Sequence, residues 1–466
     1  MNIVISAGGR FHALQLAHHL EKRNSLTRLF TFSYTNKDQQ LISPAHVSNI
    51  SSCSMLDTLF LKCRLDRIIH KSSYNVFKDN LFDYLVSKKI SKLGDSDVPK
   101  IRSIPRDAIS SLLGKTGGKI DLFVGWAHYA LHSIPAARKA GAKIIIESGS
   151  CHILEQQTLL EQEYAKYGVP FAPLHQKNID KMLKEYELAD YIMTLSDFAY
   201  QSFVKQGVPK SKLLKVTCGM DVEYFLQART LRSIRQAQDQ GERPGESSSS
   251  QLYISENNKL WILKRVQDDK IEGPCHPELD SGSTIILKSN KFRVIFVGLL
   301  NLRKGIQYLL QAWNSLNLPE QETELLLVGN LQQDLKFVLQ KMPLKKNVIF
   351  YGSTNRENLR ELYASSSVFV LPSVEDGFGM VMGEAMASGL PVICTTNTGG
   401  PDIITDQEHG FIIPPQNIDA LAEKIAWCYN NQETCKIMGN NAQEQIKKFT
   451  WDVYGEKVYE IYKSIV

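Results

Sequence analysis

The sequence predicts an α/β protein of two domains, each a doubly wound parallel sheet. Three observations carry this. Short apolar runs alternate with stretches of helical period along both halves of the chain. Each half opens on a strand, a glycine-bearing turn and a helix. At 466 residues the chain is also too long for one ordinary core.

In the first half, Ile3 to Ser6 reads as a strand and Gly8-Gly9 as a tight turn. Phe11, Leu14, Ala17 and Leu20 then recur at helical spacing, and Leu26 to Phe32 resumes as a strand. Asn36 to Arg102 offers helical fragments, Leu56 to Ile69 and Val76 to Ile90, in which basic residues alternate with aromatics and leucines. That pattern suits a solvated helix face or a basic amphipathic helix resting on a membrane. Asp121 to Trp126 and Lys143 to Glu147 are further strands, with a helix at Ser133 to Ala140 between them. His128 and His132 fall just past the first of these, at the strand end where ligands collect in open α/β sheets. His128 is read either as an acceptor-side polar residue or as a hydrogen-bonded structural histidine. Glu147 to His152 occupies a similar strand end and is expected to face the same edge. Glu161-Gln162-Glu163 on the following helix is expected to be solvated. Ala189 to Ser196 forms a strand ending in a Ser196-Asp197 helix cap.

Gln227 to about Asn290 breaks the alternation. GERPGESSSS has the composition of a disordered segment, and the CHPELDSGS portion resembles translated repetitive palindromic elements inserted in some bacterial genes. Cys275 and His276 within it are too isolated to hold a metal. The second half starts at the Phe292 to Val297 strand, followed by Gly298 to Gly305, where Lys304 is expected to open a helix carrying Ile306, Leu309, Leu310 and Trp313. Strands follow at Glu324 to Val328, Val348 to Tyr351, Val368 to Leu371, Pro391 to Cys394 and Gly410 to Ile413. Helices at Asp419 to Tyr429, Cys435 to Lys447 and Trp451 to Ile465 complete the chain.

Val368 to Asp402 is the most informative stretch. An apolar strand stops at Pro372-Ser373, Asp376-Gly377-Phe378-Gly379 makes a turn, and Met380 to Ala387 forms a helix closed by Gly389. Such a turn brings backbone N–H groups to a helix N-terminus, where phosphate is favoured. Asp376 in the turn and Glu384, eight residues later, would repel a bare phosphate but suit a ligand that also carries hydroxyls, as a nucleotide sugar does.

This stretch resembles the donor-binding signature of retaining glycosyltransferases of GT-B architecture, family 4 (glycosyl transferases group 1) in particular. Acid, glycine, aromatic, glycine and a Glu eight positions after the acid all match, with Asp376 standing for the usual first Glu and Glu375 one residue too early. The resemblance implies two Rossmann-like domains facing a cleft. They would span residues 1–226 on the acceptor side and 291–449 on the nucleotide-sugar side. Residues 227–290 would be an insertion, and a crossover helix, 450–466, would pack on the first domain. It also implies that Gly8 and Gly9 approach the donor phosphates, with Arg10 either assisting or solvated. Lys304 would lie against the diphosphate. The family's Arg after the first glycine is absent, since Leu299 stands there, and Arg303 is its candidate replacement. Gly377, Phe378, Gly379, Met380 and Val381 would line the donor, Asp376 would accept from sugar hydroxyls and Glu384 would hold the ribose.

The activity so implied is retaining transfer of a sugar from a nucleoside diphosphate to a glycan or lipid-linked acceptor. Attack is from the front face, and a leaving phosphate oxygen takes the acceptor proton. A sugar-nucleotide isomerase or epimerase of the same fold and a noncatalytic remnant remain open beside it. No DxD pair suggests a metal, and no cofactor is expected. Apolar content of 43%, charged content of 22% and a net charge of +5 describe a soluble protein without a nucleic-acid-binding block; contact with an anionic membrane surface is permitted. The MNIVISAGG start reads as a strand rather than a signal peptide, and no apolar window is long enough to span a bilayer. The eight cysteines show no CxxC pairing, which suits a reducing cytoplasm, with peripheral membrane attachment compatible.

Overall fold

The computed structural model describes residues 1–9, 12–62, 71–94, 119–171, 174–226 and 291–466. Arg10, Phe11 and the 227–290 segment fall outside these. The first domain holds β1 (Ile3–Ser6), β2 (Leu26–Thr31), β3 (Val47–Asn49), β4 (Leu122–Trp126), β5 (Lys143–Ser148), β6 (Tyr191–Thr194) and β7 (Leu213–Lys215), in the order β3-β2-β1-β4-β5-β6-β7. Every pair is parallel. The second domain holds β8 (Phe292–Val297), β9 (Thr323–Val328), β10 (Val348–Gly352), β11 (Val368–Leu371), β12 (Val392–Thr395) and β13 (Gly410–Ile413), in the order β10-β9-β8-β11-β12-β13, again all parallel.

Both sheets are covered on both faces, which is why their strands read as continuous apolar runs. Ile3, Ile5, Leu122, Val124 and Ile145 pack into one layer of the first domain, while Val4, Phe123, Ile144 and Ile146 pack into the other. Strand order reverses between β1 and β4 in one sheet and between β8 and β11 in the other. Those switch points open a crevice at the strand C-termini. The chain leaves the first domain through Cys218 to Met220, where Met220 N donates to Phe449 O at 2.9 Å. A Cβ on Gly219 would lie 2.6 Å from the Trp451 ring, so only glycine allows this close passage. The last helix, Trp451–Ile465, lies against the first one, Ala13–Lys22, through an Arg23–Glu456 ion pair and His19 Nε2 to Asp452 Oδ1 at 3.3 Å.

Two local expectations need correction, and a third lies partly outside the described residues. Lys304 does not open a helix: the helix is Ile306–Ser315, and Gly305 precedes it at φ 72°. A side chain at Gly305 would drive into Pro372 O, 1.9 Å from the Cβ position, so the two loops touch here and the helix begins one residue beyond. The expected helix Leu56 to Ile69 is Ser51–Lys62 among the described residues, and Val76 to Ile90 lies inside a longer helix, Lys71–Gly94. Glu163 is not solvated. It is fully buried on the helix Ile153–Lys166 and accepts from Gln307 Nε2 (2.7 Å), Tyr308 OH (2.8 Å) and Gln416 Nε2 (2.8 Å) of the other domain.

Candidate functional site

On the second domain the site is built from the loops after β8 and β11. Val374 N donates to Arg303 O (2.9 Å), Asn397 Nδ2 to Val374 O (2.9 Å), and Asp376 N to Asn397 O (3.0 Å). These bonds hold both loops in register. Lys304 N donates to Asn301 Oδ1 at 3.0 Å, which fixes the cationic pair Arg303-Lys304 beneath the carboxylates. Lys304 Nζ then pairs with Asp376 Oδ2, and Arg303 Nε donates to Glu375 Oε2 at 2.7 Å. The two cations and the two carboxylates are therefore matched one to one. Leu299, where the resemblance leads one to expect an Arg, is half exposed.

Gly379 sits at φ 83° and lets the turn close onto Leu371, after which Met380 caps the short helix Val381–Ala387. The Phe378 ring is buried and covers Gly399, whose Cβ would meet it at 2.4 Å. Two turns along, Glu384 Oε2 accepts from Tyr363 OH at 3.1 Å. Burial pushes the Glu384 carboxyl up to about 7, against the pull of Tyr363 and Arg356. Arg356 lies 4.3 Å above the Tyr224 ring and pairs with Asp221 at 2.6 Å, so the linker between the domains closes this end.

On the first domain Gly8 follows β1 and lies under Tyr129, whose ring would be 2.2 Å from a Cβ. Gly9 adjoins it. His128 stands past β4 at φ 80°, and its buried Nδ1 has no hydrogen-bond partner. Burial, and then Lys181, lower its pKa to about 4, so the ring is neutral near pH 7. Its loop is clamped from below by carboxylates. Glu185 accepts from the N–H groups of His128 (2.8 Å), Ala130 (2.9 Å) and Leu131 (3.0 Å). Asp83 accepts from His132 N (2.7 Å) and Ser133 N (2.9 Å) and pairs with Lys181 at 3.0 Å.

The walls meet at the glycine turn. Gly377 is pressed so closely on Gly149 and Ser150 that a Cβ would be 2.1 Å from Gly149 O. Ser196 Oγ, the cap of the helix Asp197–Lys205, donates to Gly377 O at 2.6 Å. Glu375 is fully buried there, taking Ser150 Oγ (2.6 Å) and Gln156 Nε2 (2.9 Å) besides Arg303. Burial alone would raise its carboxyl, but Arg303 and these donors outweigh it and hold the group below the usual carboxylate range.

Asp376, Lys304, Arg303, Gly377 and Gly379 are thus gathered in one place. Glu384 lies at the linker end, and Gly8 and His128 lie on the opposite domain. Glu375, which misses the acid spacing, joins the domains at the glycine turn; its partners Arg303 and Ser150 lie 72 and 225 positions away, so no local signal marks it. Glu147 does not face the cleft. It is fully buried and pairs with His12 at 3.4 Å, on the face covered by the last helix. Among the described residues no cluster of three or more His, Cys, Asp or Glu is placed to hold a metal.

Residues 284–445 match the family model of glycosyl transferases group 1. The sulfoquinovosyl transferase SQD2 of Arabidopsis thaliana is 32% identical over 35% of this chain and 32% of its own length. The Staphylococcus aureus capsular polysaccharide biosynthesis glycosyltransferase CapM is 28% identical over 47% and 57%. The matches thus span well under two thirds of these relatives. Solved structures similar in fold include Anabaena HepE in complex with UDP, at TM-score 0.56 and 15% identity over all of both chains. WaaG, a glycosyltransferase involved in lipopolysaccharide biosynthesis, aligns at TM-score 0.54 and 16% identity over 99% of each chain. The fold is that of the GT-B glycosyltransferases.

Proposed function

We propose that the protein is a retaining glycosyltransferase that moves a sugar from a nucleoside diphosphate to a glycan or lipid-linked acceptor. The observation that carries this reading is the pairing of Lys304 with Asp376 and Arg303 with Glu375 at the switch point of a group 1 domain, where the first domain meets it through Ser150 and Gln156. Two cations there suit a diphosphate, and preorganised charge at the leaving group is commonly the largest catalytic contribution. A donor diphosphate would draw Lys304 from Asp376 and free that carboxylate to accept from sugar hydroxyls, while Glu384 takes the ribose. The C1–O bond to the diphosphate breaks, the acceptor oxygen bonds to C1 on the same face, and the acceptor proton passes to the departing phosphate oxygen. No metal or other cofactor is included in this scheme. HepE has been solved with UDP and with UDP-glucose, which makes a nucleotide sugar the first donor class to test.

The acceptor side is assigned to the His128 wall. Helix Lys71–Gly94 in that domain exposes Phe77 and Tyr84, with Lys88 over Tyr84 at 5.4 Å, a face suited to the surface of an anionic membrane. Among the described residues no helix is long and apolar enough to cross a membrane. Cytoplasmic residence, peripheral at the inner membrane face, is the corresponding location.

Incubation with a panel of nucleotide sugars tests the reading. Slow release of nucleoside diphosphate is expected. An isomerised sugar nucleotide would instead identify an isomerase, and no turnover or binding of any donor would leave a noncatalytic remnant.

A further inference from the structure

Ser150 and Gln156 belong to the first domain, yet both donate to Glu375 of the second. Ser150 Oγ occupies Oε1 at 2.6 Å, and Gln156 Nε2 reaches Oε2 at 2.9 Å and Ser150 Oγ at 2.8 Å. Arg303 makes a single bond to Glu375, Nε to Oε2, and its Nη2 donates to Ser150 Oγ at 3.4 Å. A free carboxylate beside an arginine commonly takes the guanidinium with both oxygens. Here Ser150 holds the second oxygen, so the terminal nitrogens of Arg303 are not drawn onto Glu375. A third of the Arg303 side chain remains exposed.

We infer that Ser150 and Gln156 are positioning residues that couple closure of the cleft to the cation site: by occupying Glu375 they keep the Arg303 guanidinium available to the donor diphosphate. This rests on the transferase reading of the site. With the domains apart, Glu375 loses both donors and takes Arg303 bidentately, which withdraws the charge. With the domains together, the charge is presented. The first domain thereby reports closure to the donor through two neutral side chains.

The test is calorimetric titration of the full chain with UDP, GDP, ADP, CDP and dTDP, followed by variants against whichever binds. Ser150→Ala with Gln156→Ala is expected to weaken binding about tenfold, as far as Arg303→Ala does alone. Adding Arg303→Ala to that pair is expected to cost nothing further, and Ser150→Thr, which keeps the hydroxyl, is expected to bind like wild type. A double variant that binds like wild type, or in which Arg303→Ala keeps its whole effect, overturns the coupling and leaves the transferase reading standing. If wild type binds none of the five, the transferase reading falls and the inference with it. If the double variant is insoluble, Gln156→Ala alone decides, with a loss of a few-fold expected and none overturning the coupling.

Discussion

The two walls of the cleft use buried carboxylates in opposite ways. On the second domain Glu375 and Asp376 meet side-chain cations, Arg303 and Lys304. On the first, Glu185 and Asp83 meet mainly backbone N–H groups of the loop that carries His128, and Asp83 also pairs with Lys181. A side-chain pair can exchange one partner for a ligand. A carboxylate holding several main-chain donors cannot leave without orphaning them. The first wall is therefore a preformed surface and the second a responsive one.

The largest effect should follow from breaking the preformed wall. Glu185→Ala leaves three N–H groups without an acceptor, at ~1–3 kcal/mol each, so urea unfolding should show a loss of about 3 kcal/mol or more. A loss under about 1 kcal/mol would mean the loop is held by something else. On the responsive wall the cost should instead appear in binding. Lys304→Ala is expected to weaken nucleoside diphosphate affinity by roughly 10- to 100-fold, the equivalent of ~1.5–3 kcal/mol, with Arg303→Ala close behind and unfolding little changed. Equal losses of stability and binding would erase the distinction between the walls.

The two signature acids sharpen the comparison further. Asp376→Ala releases Lys304, so affinity for free diphosphate should hold while turnover falls sharply. Glu384→Ala should weaken the free diphosphate by about tenfold and abolish discrimination against a 2′,3′-dideoxyribose nucleotide. Identical behaviour of both variants would assign the acids to turn support.

A pH series gives a fourth test. Burial raises the Glu384 carboxyl from its ordinary 4.5 to about 7, so folding favours its protonated form. Its contribution to stability is fully present below about pH 4.5 and is lost as pH rises through about 7. Ribose hydroxyls donate to the ionised form, so affinity should rise with pH, by up to about tenfold per unit, and level off above 7. Glu384→Gln should flatten the affinity profile and remove only part of the stability slope, since burial also pushes the Glu185 carboxyl up to about 7; an unchanged affinity slope would place that titration elsewhere. The smallest effect expected is from Leu299→Arg, which restores a cation beside Lys304 and should tighten diphosphate binding a few-fold. A loss of affinity on that change would show that Arg303 leaves no room for a second guanidinium.

Local pattern was sufficient for much of the fold. The buried strands coincide with expectation because apolar runs flanked by Gly, Pro and Ser report burial on both faces whatever covers them. Asp376, Glu384 and the glycines between them were legible for a similar reason. Their spacing is local, set by one turn and one helix, and that turn is built as the spacing implied.

Wherever an assignment depended on a distant surface, the tertiary structure decided it. Glu163 reads as solvated and Glu147 as facing the cleft edge, yet one is enclosed by Gln307, Tyr308 and Gln416 and the other pairs with His12. The start of the helix after Lys304 was set by Pro372, a residue of another loop. Glu375 offers the clearest case, since its partner Ser150 lies 225 positions away in the other domain. By itself the sequence determined which apolar residues are buried within each element and where its turns permit a phosphate. What a buried polar group touches is decided by which surfaces the two domains bring together. A charge cannot stay buried without partners, and those partners are specified by packing rather than by spacing.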